Sequence, residues 1–504
     1  MLVKFTRSGV VETREIAEPC DPVAEFGKQL DECCRQFHSE PVTPARLFAF
    51  EMALEEKAHE LLRQVLEREL NRLESNNKKE MPAKVRYHKE TFRINKKTKL
   101  AVATRFGTIT LRSFYYLNQQ DGEPGLHPLR LRLGIGTGSA TPAFAERVAR
   151  LSVDHTQAEV RAWLLREYGV KWSNDRLRAT LRGFRDSLLP RVPGLQKARL
   201  LAWLERAQQS RGRYRPVLAA GRDGVMVPML PRGHHEASTA TVSVYDRCRR
   251  RLGTVYLGQM PEEKQTALTA ALTALLRGTL QDWQGPVPRL VYVTDKGSAP
   301  DDYYHRVLKK MMHPREQTLR LEWEWVLDFY HVCCYIGKLA DALFGAETKA
   351  GAAWFKKMRH WLRDRRQGVS QVLRSAMQLL DRRKMSKPHR TTFWKAYRYL
   401  RRHRRWMDYE GHRRRGLPIG SGVTEAACKT VFTHRFKRSG MRWAQETGQI
   451  ILDLRVTYLS GVWDDAFAAD LASRELPESL EGELRGAKKA SPRPTARNAT
   501  RFAA

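Results

Sequence analysis

Three acidic residues stand far apart in the chain in settings where each could do chemistry. Asp223 interrupts the apolar run Val217-Leu-Ala-Ala-Gly-Arg-Asp-Gly-Val-Met-Val, and Asp295 ends Leu290-Val-Tyr-Val-Thr-Asp. Glu425 falls in the first turn of a helix that opens after Gly420-Ser421-Gly422. Strands are poor in Asp, and carboxylates gathered at one place repel unless a cation sits among them. Oxygen donors suit Mg²⁺, which keeps positions open for phosphate and water. Two such ions can clamp the attacking and leaving oxygens of an in-line phosphoryl displacement. Taken alone, Glu425 reads equally as a helix-start glutamate favoured by the helix dipole. Asp301 and Asp302 compete with Asp295 as the second acid, although they read more easily as the start of a helix. Asp328-Phe-Tyr-His331 is a second constellation, where His331 can orient a carboxylate or meet a phosphate. An Asp cap beside a satisfied His fits that spacing as well.

The elements that must position these residues follow from the pattern between 217 and 328. Apolar strands are expected over 217–227, 237–245, 252–258, 290–295 and 321–328, with helices over 262–278 and 301–312. The order βββαβαβ predicts an α/β fold with an RNase H-like sheet, in which the first and fourth strands are neighbours. Asp223 and Asp295 would then share one edge, and the later helix could bring Glu425 against them. Residues 332–417 form a helical insertion; between 356 and 415 there are 21 Lys or Arg against 4 Asp or Glu, interleaved with Trp and Tyr. The Glu425 helix is expected to run to about Arg438, followed by another over 444–459.

Upstream, residues 1–20 suggest a short strand pair, 22–75 amphipathic helix, and 98–117 a hairpin turning at Arg105-Phe106-Gly107. Three short helices are expected over 142–152, 156–168 and 174–188, the last capped by Ser173 and carrying Arg176, Arg178, Arg182 and Arg185. A trihelical unit with a basic last helix fits helix-turn-helix DNA recognition; a solvated basic helix is the plainer alternative. A connecting helix follows over 194–209. The expected divisions are 1–82, 83–140, 141–210, 211–331, 332–417, 418–475 and a disordered tail over 476–504.

The 504 residues include 90 Lys or Arg against 55 Asp or Glu, a formal charge of +35. Such an excess points to a polyanionic partner, DNA first. No stretch of 18 apolar residues exists to cross a membrane, and Met1–Pro19 lacks an apolar signal-peptide core. The seven cysteines include two adjacent pairs and no CxxC, which argues against a disulfide framework or a Cys-type zinc site. A reduced, cytoplasmic, nucleoid-associated protein is the expectation.

Together these residues resemble the bacterial insertion-sequence transposases of the ISKra group, within the wider Mutator-like DDE transposases. The resemblance rests on Asp223-Gly224, Asp295, Asp328-Phe-Tyr-His331 and above all Leu417-Pro-Ile-Gly-Ser-Gly-Val-Thr-Glu-Ala-Ala-Cys-Lys. It continues through Arg438-Ser-Gly-Met-Arg-Trp-Ala and Leu452-Asp-Leu-Arg. One departure is that Lys296 stands before Gly297, where the group has Gly directly after the acid. The resemblance implies that Asp223, Asp295 and Glu425 form a catalytic triad holding two Mg²⁺ or Mn²⁺ ions, with Asp328 and His331 as the supporting D-x-x-H signature. It implies binding to inverted-repeat ends and target DNA by a homo-oligomer, with cleavage and strand transfer. Arg435, Lys437, Arg438 and Arg442, beside Glu425, would join Arg176, Arg178 and Arg182 as DNA-binding residues, or else form a solvated basic face. The rival readings are a nuclease of the same fold, a DNA-binding descendant with an idle triad, and an RNA-binding or structural role.

Overall fold

The computed structural model describes residues 21–480, apart from 121, 232 and 382–384. The strand pair expected over 1–20 and the tail beyond 480 lie outside the described residues. The chain divides into two compact units: one comprises the residues up to Ala145, Trp163–Trp172 and those from Arg474 onward; the other comprises Glu146–Ala162 and Ser173–Ser473.

In the first unit, Asp21 caps α1 (Pro22–His38) and Thr43 caps α2 (Pro44–Arg72), each followed by a proline that cannot donate an N–H anyway. The antiparallel strands β1 (Lys84–Tyr87), β2 (Glu90–Thr104) and β3 (Gly107–Asn118) follow. The hairpin is longer than its pattern suggests, because a bulge between Ile94 and Lys96 carries the pairing past the charged stretch. Glu74, buried after α2, accepts from Phe114 N (2.9 Å) and Ser113 Oγ (3.3 Å) and so ties that helix to β3. Glu478 and Ser479, expected within a disordered tail, pair with the outer edge of β1. The short helix α3 (Pro128–Arg132) completes this set.

Helices α4 (Pro142–Asp154) and α5 (Gln157–Tyr168) contribute residues to both units. In the second unit, α6 (Asn174–Leu188) and α7 (Val192–Gln209) lead to a five-stranded mixed sheet. Its strands are β4 (Val217–Pro228), β5 (His234–Tyr245), β6 (Arg251–Gln259), β7 (Arg289–Thr294) and β8 (Trp323–Leu327), in spatial order β6-β5-β4-β7-β8. The first three strands are antiparallel; β4 pairs parallel with β7, and β7 with β8. The chain is thus mixed α/β.

Between strands lie α8 (Thr266–Asp282) and α9 (Ser298–Arg306). Helix α8 begins later than its apolar pattern suggests, since Lys264 and Gln265 have φ near +53° and +51°. Glu262 then caps it by accepting from Ala267 N and Leu268 N. Leu268, Leu272, Leu276 and Leu280 form its buried stripe. After β8 come α10 (Phe329–Phe344), α11 (Lys349–Asp364), α12 (Gly368–Leu380), α13 (Lys387–His403) and α14 (Tyr409–Arg414). The chain returns through α15 (Gly422–Ala427), a π-helical turn over Cys428–Thr433 and α16 (His434–Phe436), and ends in α17 (Gln445–Leu459) and α18 (Trp463–Ala472).

Alternation along β4 assigns its side chains to two faces. On one, Gly221 lies against Thr424 of α15, whose hydroxyl hydrogen-bonds Thr241 at 2.8 Å, and Gly258 of β6 lies against Leu452 of α17. On the other, Arg222 meets Thr269 of α8, and Gly253 lies against Trp203 of α7. A Cβ at Gly221 would overlap Thr424 Oγ1 and sit 3.1 Å from Val293 O, both set by packed elements. Gly221→Ala should therefore lower the unfolding free energy by about 1–3 kcal/mol in urea titration. Gly422→Ala, where nothing lies within 4 Å, should leave it unchanged or slightly raised.

Candidate active site

Asp223 and Asp295 meet at the sheet edge for a reason of register. Parallel pairing matches Ala220 with Tyr292; three residues further along each strand come Asp223 and Asp295. Asp295 directly follows the carboxyl end of β7, and Asp223 lies just past the last parallel pair, in the part of β4 that continues alongside β5 only. Asp223 Oδ1 accepts from Gly224 N (2.8 Å) and Oδ2 from Cys428 Sγ (3.2 Å). Burial raises its pKa, the two hydrogen bonds oppose that, and the charges of Asp295 and Glu425 raise it further. Cys428 lies three residues after Glu425 at the start of the π-helical turn. Burial and the Asp223 carboxylate push its thiol upward, so it acts as a neutral donor.

Asp328 organises the opposite side. It is 4% exposed and caps α10, its Oδ1 accepting from His331 N at 2.6 Å. Its Oδ2 accepts from Ser421 N, in the turn that opens α15. Its own N–H reaches Thr294 O (3.1 Å) at the end of β7, and Phe329 N reaches Ile419 O (2.9 Å). The cap aims His331 at Asp295, with Nδ1 to Oδ2 at 2.8 Å. The hydrogen bond to Asp295 raises the His331 pKa, against an opposing effect of burial. Glu425 stays more than half exposed and meets Lys429 at 3.2 Å. The rival acids are otherwise engaged: Asp301 pairs with Lys296, and Asp302 with Arg306 at 3.5 Å.

The pattern of acids says nothing of the aromatic wall beside them. Lys296 Nζ lies between the rings of Trp325 (4.2 Å) and Trp406 (4.6 Å). Burial, with Arg405 and Arg402 nearby, pushes its pKa down to about 8. Tyr335 of α10 and Tyr399 of α13 stack at 3.7 Å and both approach His331. The clue available in the sequence was Tyr335, one helical turn after His331.

The expected basic residues divide by environment. On α6, Leu177, Leu181 and Phe184 face inward; Arg176 is half-buried, while Arg178 and Arg182 face outward. Arg178 pairs with Asp175 (3.3 Å) and Arg182 with Glu446 (2.7 Å). Arg178 and Arg442 line one recess of about 490 Å³, with Arg435 in its wall. Arg435 departs from the expected solvated face: it is 1% exposed, its Nε donates to Ser152 O, and it lies over Trp443. Burial pushes its pKa down to about 10. Arg438 holds Glu159 (3.1 Å) and Asp154 O (2.8 Å), whereas Lys437 is exposed. In the insertion, Arg390, Trp394, Lys395 and Arg398 of α13 line an open basic recess of about 580 Å³. No helix among the described residues is long and apolar enough to cross a membrane.

The three acids are all oxygen donors, and the effect of Asp295 and Glu425 on Asp223 is the like-charge crowding that a cation relieves. In donor type they fit Mg²⁺ or Mn²⁺. In this conformation each has another partner, and among the described residues no three His, Cys, Asp or Glu side chains converge to enclose an ion. A comparison of the sequence with protein-family models finds no match, and one with curated proteins finds none.

The raised His331 pKa fixes a sign. The His331–Asp295 pair stabilises the fold fully below pH of about 6.5, the ordinary histidine value, and this contribution fades as pH rises through the higher folded value. Histidine NMR titration should place His331 above its ordinary midpoint and show it falling back in Asp295→Asn. An unchanged midpoint in that variant would mean the pair is absent in solution.

Proposed function

We propose that the chain is a DDE transposase with an RNase H-like catalytic core, acting on the inverted-repeat ends of an insertion sequence. The observation that carries this reading is the gathering of Asp223, Asp295 and the Glu425 helix at one sheet edge from positions up to 202 residues apart. The triad would be Asp223, Asp295 and Glu425, with Asp328 and His331 in support.

These three carboxylates would hold Mg²⁺ or Mn²⁺, which when bound supplies Lewis acidity for phosphoryl transfer and eases the ionisation of water. Asp328 fixes the turn before Glu425, and His331 orients the Asp295 carboxylate. Lys437, Arg442 and Arg178 offer cations to phosphate oxygens, and the α13 recess offers Trp394 and arginines to a DNA strand. Hydrolysis of one phosphodiester at the element end leaves a 3′-hydroxyl. Attack of that hydroxyl on a target phosphodiester forms one ester, breaks another and releases a target 3′-hydroxyl. The cytoplasmic, nucleoid-associated location and self-association belong to the same proposal.

A second reading is a DNA-binding descendant that does not cut. The separate partners of the three acids favour it. Cleavage and strand transfer should be assayed on DNA carrying the element's ends with Mg²⁺ or Mn²⁺, beside Asp223→Ala, Asp295→Ala and Glu425→Ala. The expected result is loss of about 10³-fold or more in each variant, in the range for removing one member of a unit that acts together, with end binding kept. Full activity in one variant removes that acid from the triad. Binding without cutting by the wild type supports the second reading, and cutting without joining makes the protein a nuclease.

A further inference from the structure

Arg222 stands between Gly221 and Asp223 but points to the other face of the sheet, away from the acids. It is 3% exposed and forms part of the wall of a cavity of about 730 Å³ between α8 and α9. Its Nη1 donates to Thr269 Oγ1 (3.0 Å), its Nη2 to Gln265 Oε1 (2.8 Å), and its plane lies over Tyr303 at 4.8 Å. Its Nε is buried without a hydrogen-bond partner. Among the described residues it has no ion-pair partner; the Glu236 carboxylate, over Gly224 on the same face, accepts from Gln265 Nε2 at 3.4 Å. A buried guanidinium held by neutral groups alone is costly, and an anion from solution removes that cost.

The remaining lining supports the same reading. Lys264, Arg277 and Arg306 bring three further cations; Asp302, the one carboxylate in the lining, is held by Arg306, and Lys264 lies 3.3 Å from Glu263 outside it. Tyr303 and the alanines of α8 give the cavity an apolar side that a bare phosphate would not use. Its volume is in the range of small-molecule sites. We propose that this cavity binds a nucleotide, with the phosphate on Arg222 and Arg277 and the base along the apolar side. A free mononucleotide and the 5′-phosphorylated terminal nucleotide of a strand share that chemistry. The proposal does not rest on the transposase reading.

The test is calorimetric titration of the full chain near physiological salt with 5′-dAMP, deoxyadenosine, inorganic phosphate, and a short single strand with and without a 5′-phosphate. A phosphorylated ligand should bind at one saturable site, at least about tenfold tighter than its unphosphorylated counterpart, since charge-assisted hydrogen bonds to guanidinium are the strong ones. An advantage of the phosphorylated over the unphosphorylated strand that is lost in Arg222→Met identifies a strand end as the source; its absence, with 5′-dAMP bound, identifies the free mononucleotide. Inorganic phosphate should bind more weakly than either. Arg222→Met should abolish binding while the melting temperature holds or rises. Arg277→Ala, at the exposed rim, should weaken binding and serves where Arg222→Met fails to fold. Arg35→Ala, on the exposed face of α1, should bind as the wild type does. Equal binding of 5′-dAMP and deoxyadenosine, unchanged affinity in Arg277→Ala, or an equal loss in Arg35→Ala would each overturn the proposal.

Discussion

The carboxylate of Asp328 is the interaction on which the candidate site depends. A buried carboxylate is tolerated only when its oxygens are hydrogen-bonded, and here the two oxygens are satisfied by N–H groups 90 residues apart, on His331 and Ser421. The same residue's N–H continues the end of β7 through Thr294 O. One side chain and its peptide thereby join the strand that ends beside Asp295, the helix that carries His331 and the turn that launches Glu425. The insertion leaves and returns close to this junction, and its helices pack into the same core as the sheet.

Strand alternation is the second constraint. A slip of one residue in β4 would move Asp223 to the face of α8 and Arg222 to the face of α15. Register is pinned on one side by Gly221, whose missing side chain lets Thr424 reach Thr241, and on the other by Arg222 and its two hydrogen bonds. The π-helical turn after α15 then sets Cys428 against Asp223. Such turns add a residue to a helix and recur at functional sites; here the turn supplies a neutral donor to a buried carboxylate.

What the sequence revealed and what it concealed follow from the range of the interactions. Continuous apolar runs made the five strands readable, and an Asp within or at the end of such a run singled out Asp223 and Asp295. The Asp328–His331 spacing marked a helix entrance, and the structure shows that this cap also aims a side chain at the site. The start of α8 was misjudged because Lys264 and Gln265 turn into the left-handed region, which neither residue type announces. The inward turn of Arg435 depends on Ser152, 283 residues away, and a basic residue near a helix end gives no sign of it. Lys296 between two tryptophans was invisible for the same reason: Trp325 and Trp406 come from separate segments.

A total charge of +35 counts every cation alike. Arg455 is 3% exposed and matched by Asp154 at 2.5 Å together with the carbonyls of Val153 and Thr430. Arg185 is matched by Asp453, and Arg438 by Glu159. Arg455 and Arg185 are spent on these contacts within the fold, whereas Arg438 is only partly covered. Arg222 is as buried as Arg455, yet its hydrogen bonds go to neutral groups and, among the described residues, no carboxylate forms an ion pair with it. The α13 row of Arg390, Lys395 and Arg398 lies at an open surface beside Trp394. The formal total therefore overstates the charge open to a polyanion, because it counts buried and paired arginines with the exposed ones of the α13 recess.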